Sequence, residues 1–248
     1  MFKYPIGELL VGSFFVITIC GALIAYKKYI KAPALTHPRH RLPETQKIQL
    51  QTAYATLLAT GALCEDDVTF EELVDCAETL GDFSARDCSE AQVIFTVLNE
   101  LQAKLGRFQN LTFITDQVEV DQHSVLAIVH EFARLAGRTN QLRGMKLKGI
   151  DGGEIVLARR GELPTDNAKV EFNLGSRQYA VPFVMYGKNI PLGLMETLPE
   201  ILGSDGEPRR FFSAYFDAFL AVTYLCADQV ATLNLAFSHQ PDCFELLK

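Results

Sequence analysis

Residues Leu9 to Tyr26 read LLVGSFFVITICGALIAY, eighteen positions without a charge. A run of that length covers the hydrocarbon core of a bilayer as a helix, and no other feature of the chain restricts its fold so strongly. Ten of the eighteen are Leu, Ile, Val or Phe. On an insertion scale they contribute about −3 to −6 kcal/mol before the small and polar residues subtract. A cleaved signal peptide needs a cationic head and a small-residue cleavage site, whereas only Lys3 precedes this run, and Lys27, Lys28 and Lys31 follow it. One transmembrane anchor within residues 1–30 is therefore expected, contacting membrane lipid through residues 9–26. Gly21 and Ala25 form a small-xxx-small pair through which two such helices could self-associate.

Orientation follows from the flanking cations, because Lys and Arg resist translocation. Lys3 stands before the span, against Lys27, Lys28, Lys31, Arg39 and Arg41 after it. The expectation is a single-pass protein of a bacterial-type inner membrane, with its large C-terminal domain in the cytoplasm. Cysteine usage agrees: Cys64, Cys76, Cys88, Cys226 and Cys243 fall after the span in no disulfide-framework spacing. Residues 31–43 carry Pro33, Pro38 and Pro43. They read as an extended linker, since proline disfavours helix.

Of 248 residues, 48% are hydrophobic and 21% charged, the balance of a folded protein able to bury a core. The formal charge of −7 makes nucleic acid an unlikely partner, because phosphate neutralisation needs a cationic surface. That charge is unevenly spread. Residues 27–48 hold six cations and one acid, whereas residues 49–100 hold eleven acids and only Arg86 as a cation, a net of −10. Residues 101–248 have seventeen acids against fifteen cations, a net of −2.

Periodicity predicts helices in the first part of the domain. Leu50, Tyr54, Leu57 and Leu58 share a face over 44–61. A second helix starts at a capping box of Thr69 and Glu72, with Val68 stapling to Leu73, and stops near Gly81. Asp87 with Glu90 is expected to cap a third, whose stripe is Val93, Ile94, Val97, Leu98, Leu101 and Leu105. After a short strand at Leu111–Thr115, Asp121 caps a fourth, with Val125, Ile128, Val129, Phe132 and Leu135 inward.

From Met145 the period shortens to two. MKLKGI and EIVLARR around Asp151-Gly152-Gly153 read as one hairpin, and AKVEFNL and RQYAVPFVMY across Gly175 as another. A helix near Leu192–Leu202 should kink or break at Pro199. FFSAYF and FLAVTYL, split at Asp217, read as two buried strands, with one buried helix as the competitor. Asp228 then caps a closing helix to Phe237. Helices first and hairpins later describe an α+β fold: an acidic helical lobe, 44–140, packed with a mainly antiparallel sheet lobe, 141–248.

Motifs for chemistry are few. Cys226, His239 and Cys243 include an H-x3-C pair but no local fourth ligand, and His123 and His130 are two helical turns apart. Neither pattern implies a metal, and no cofactor is implied. No GxSxG elbow, phosphate loop, calcium loop or GxGxxG is present. The acidic helical segment remains. Glu65, Asp66, Asp67, Glu71, Glu72, Asp75 and Glu78 would meet a basic protein partner, complementary charge speeding the encounter. A toxin-neutralising immunity protein, or an adaptor of an envelope or secretion assembly, has this design. Two alternatives stand beside it: a tethered enzyme with Asp217, His130 and Cys226 as candidates between the lobes, and a structural subunit of a membrane complex.

Overall fold

The computed structural model describes residues 41–81, 89–106, 108–116, 118, 122–149, 152–153, 168–184, 189–203, 206–216, 218–237 and 244–247. The expected anchor at 9–26, with Gly21 and Ala25, lies outside them. Among the described residues no helix is long and apolar enough to cross a membrane. Residues 41–248 form one contact unit, an α+β fold with six α-helices and two antiparallel sheets among the described residues.

Three helices open the domain: α1 (Glu44–Ala59), α2 (Phe70–Leu80) and α3 (Glu90–Leu105). The capping box predicted at Thr69 and Glu72 forms, and Val68 and Leu73 are both buried beside it. The cap of α3 is Ser89, whose hydroxyl accepts the Gln92 N–H, and not Asp87. Both residue types cap well, and the choice rests on where the backbone turns. The apolar face of α3 includes Phe95, at 1% exposure, whereas Leu105, expected to be inward, is 49% exposed.

The strand β1 (Leu111–Thr115) precedes α4 (Gln122–Leu135), whose inward residues are Val125, Ile128, Val129, Phe132 and Leu135 as the spacing predicts. The predicted Asp121 cap lies outside the described residues. Next come β2 (Leu142–Gly149), β3 (Ala168–Leu174) and β4 (Arg177–Phe183), an antiparallel sheet in the order β2-β3-β4. Gly175, at φ +60°, makes the tight β3–β4 turn, a conformation that favours glycine. At Gly149–Gly153 the chain also turns, with Gly149 N–H donating to the Gly153 carbonyl. The second arm of that predicted hairpin, EIVLARR, lies outside the described residues. In the structure β2 pairs with β3.

The helix α5 (Leu194–Leu202) runs through Pro199 with no break. FFSAYF and FLAVTYL are strands: β5 (Arg209–Phe216) and β6 (Phe219–Cys226) pair antiparallel over their length. Then α6 (Ala227–Ala236) begins at Cys226, whose N–H donates to Gln229 Oε1. Asp228 sits in its first turn and is not the cap residue. A short β7 (Glu245–Leu246) completes a sheet ordered β1-β6-β5-β7.

That four-stranded sheet is the middle layer. Phe113, Phe212, Ala214, Phe216, Phe219 and Ala221 join a core with α1, α2, α3 and α6, while Ile114, Phe211, Val222 and Tyr224 join a second core with α4, α5 and β2–β4. Alternate residues of β6 thus enter opposite cores. A strand buried on both faces has no polar side, which is why FLAVTYL reads as a continuous apolar run. The first core is a phenylalanine cluster. Phe95 lies 4.7 to 6.4 Å from the rings of Phe113, Phe216, Phe237 and Phe244. Since β1 pairs with β6, segments 44–140 and 141–248 share one sheet.

Candidate functional site

The acidic segment lies in the outer layer formed by α1, α2 and α3. Its seven carboxylates stand in a stretch, residues 61–81, that contains no cation. Asp67, Glu72 and Glu78 among them serve the fold. Asp67 accepts the Cys64 N–H at 2.8 Å through one oxygen and the Gln109 N–H at 2.9 Å through the other. It thereby closes its own loop and ties it to the approach to β1. Glu72 accepts the Thr69 N–H at 2.8 Å and completes the capping box. Glu78 accepts the Leu42 N–H at 3.3 Å and lies 3.7 Å from the Lys47 ammonium. It fastens the entry of the domain to the end of α2.

Glu65, Asp66, Glu71 and Asp75 are exposed. The Tyr54 hydroxyl of α1 donates to the Val68 carbonyl at 2.7 Å. Burial and then the charges of Glu65, Glu71, Glu72 and Asp67 push the Tyr54 phenol above its usual range. Burial, followed by Asp67 and Asp66, does the same to the Cys64 thiol. Charges from the 65–67 loop and the first turn of α2 thus act together on one phenol of α1. Acids in a first helical turn also complement the helix dipole.

Beneath this loop runs a polar seam. The Asn110 amide donates to the Gly61 carbonyl at 2.9 Å and stands 3.6 Å from Cys64 Sγ. Arg134 donates to the Glu131 carboxylate at 2.9 Å and to the Leu111 carbonyl at 3.2 Å. The buried Thr112 hydroxyl donates to the same carboxylate at 3.0 Å. Every buried polar group needs such partners, so this seam is structural.

Two of the three enzyme candidates fall among the described residues. His130 lies on α4, its Nδ1 3.9 Å from Glu131, in the layer on one side of the four-stranded sheet. Cys226 ends β6 and opens α6, at a strand position in phase with Val222 and Tyr224 of that same side. Asp217, His239 and Cys243 lie outside the described residues. Among the described residues no group of three or more His, Cys, Asp or Glu is placed to hold a metal ion.

One cluster escaped the sequence reading. On the face of β2–β4 turned away from the core, the ammonium groups of Lys169, Lys148 and Lys146 surround Glu171 at 3.1, 3.5 and 3.6 Å. The hydrogen bond from Lys169, helped by the charges of Lys148 and Lys146, holds the Glu171 carboxyl below its usual range. The alternations KLK and KVE were visible, but only the strand register brings them together.

No protein-family model, curated protein or solved structure matches this chain.

Proposed function

We propose that this chain is a membrane-tethered, non-enzymatic protein-binding protein whose acidic outer layer captures a cationic protein. The observation that carries the reading is the run of seven carboxylates at 65–78 in a stretch without a single cation, four of whose charges act on the Tyr54 phenol. Self-repulsion in such a cluster costs stability, and a cationic partner offsets it. The fold duties of Asp67, Glu72 and Glu78 leave exposed Glu65, Asp66 and Glu71 as the residues that meet the partner first.

The charge-free run at 9–26 supports a single-pass anchor in a bacterial-type inner membrane, and the cations after it support a cytoplasmic domain. An immunity protein that neutralises a basic toxin, or an adaptor of an envelope or secretion assembly, fits this arrangement. Affinity purification of the detergent-solubilised chain at low and high salt, with identification of what co-purifies, tests the reading. A basic protein lost at high salt supports it; retention of only a small molecule, or of nothing, overturns it.

A further inference from the structure

Among the described residues, the outward face of the three-stranded sheet carries Arg143 and, around one carboxylate, Glu171, the ammonium groups of Lys146, Lys148 and Lys169. Lys148 and Lys169 stand directly opposite each other in the register. Like charges so placed destabilise a sheet, and one glutamate shared among three ammonium groups leaves the cluster net positive. Stability does not account for it. The remaining outward positions, Asn173, Gln178, Ala180 and Pro182, add neither an aromatic ring for stacking nor a further charge. Among the described elements, α4 and α5 pack against this sheet, both on its apolar side.

This basic face and the acidic α2 layer belong to the two outer layers on opposite sides of the four-stranded sheet. A domain with that polarity is oriented by a negatively charged plane, because opposite layers lie farther apart than the roughly 8 Å over which salt screens charge. We infer that the β2–β4 face docks on an anionic lipid surface, through Arg143, Lys146, Lys148 and Lys169, and so turns the acidic layer away from the membrane. This rests on the proposed tether, which holds the domain near a leaflet. A cationic face that carries no aromatic ring among its described outward positions suits lipid head groups better than nucleic acid, which the overall charge of −7 repels.

The test is lysine labelling of the full chain in nanodiscs of phosphatidylcholine alone or with one-third phosphatidylglycerol, read residue by residue by mass spectrometry. Each lysine near an anionic surface gains roughly fivefold in affinity. Labelling of Lys146, Lys148 and Lys169 should therefore slow about fivefold with phosphatidylglycerol. High salt should relieve the slowing, and Lys104 on α3 should not change. Equal rates in both lipids, with the chain incorporated, overturn the inference and leave the tether standing. Slowing that is equal in both lipids and fades on dilution marks a second copy on this face, and also overturns it. A chain that fails to incorporate overturns the tether instead. The same rates measured with added phosphatidylglycerol vesicles then decide the lipid contact by itself.

Discussion

Glu65, Asp66 and Asp67 are three consecutive acids, yet the structure gives them unequal work, and replacing Asp67 with alanine separates the roles. Both Asp67 oxygens accept backbone N–H groups, from Cys64 at 2.8 Å and Gln109 at 2.9 Å. Hydrogen bonds to a charged acceptor contribute about 1.5–3 kcal/mol each. Because Asp67 is half-buried, the lower end applies, and Asp67→Ala should cost about 3 kcal/mol. For a folded unit of this size that loss lowers Tm by about 6–12 °C. Asp66 is exposed, and Asp66→Ala should stay within about 0.5 kcal/mol of the parent. Asp67→Asn, which keeps one carbonyl acceptor, should fall between. Thermal and urea unfolding of the detergent-solubilised chain, followed by far-ultraviolet circular dichroism, reads all three. Equal losses for Asp66→Ala and Asp67→Ala would refute the claim that one acid is structural and its neighbour is not.

Phe95→Ala removes the ring at the centre of four others and should cost about 3–5 kcal/mol in urea unfolding, with a loss below 2 speaking against the aromatic cluster as a core. Thr69→Ala removes a cap hydroxyl and should cost about 1 kcal/mol at neutral pH. Because the Thr69 hydrogen bonds depress the Glu72 carboxyl, the cap's contribution is complete above the ordinary glutamate range and is lost as pH falls through the lowered value. The gap between Thr69→Ala and the parent should therefore narrow in acid, and a gap that widens would contradict the capping box. Gly193→Ala places a Cβ 3.0 Å from the Pro182 carbonyl oxygen at φ +82°. It should cost about 1–2 kcal/mol, measured as a shift in the urea midpoint.

Local signals in the sequence survive into the structure where tertiary contacts do not compete. The Thr69–Glu72 box involves four consecutive residues, and Val125, Ile128, Val129, Phe132 and Leu135 follow a single helical period, so both could be read directly. The strands FFSAYF and FLAVTYL were recognisable by their aromatic content. Their meaning as the floor of two cores was not, because it depends on what covers each face. The caps at Ser89 and Cys226 were missed in favour of Asp87 and Asp228, since the backbone turn and not the side-chain type selects the residue. The acidic segment was legible as a charge run. Its division into fold-holding Asp67, Glu72 and Glu78 and exposed Glu65, Asp66, Glu71 and Asp75 was not, because Gln109 and Leu42 reach it from distant segments. The lysines around Glu171 come from strands joined by a long connection, and no local pattern announces such a register.

The proposed recognition role is tested most directly by the association rate of the captured cationic protein with a chain carrying Glu65→Lys, Asp66→Lys and Glu71→Lys. All three are exposed, and none of them holds the 65–67 loop or the start of α2. The account predicts association slowed about tenfold or more at low salt, a flattened salt dependence and an unchanged dissociation of any apolar contacts. An unaltered rate and salt slope, in a variant whose circular dichroism matches the parent, would contradict it.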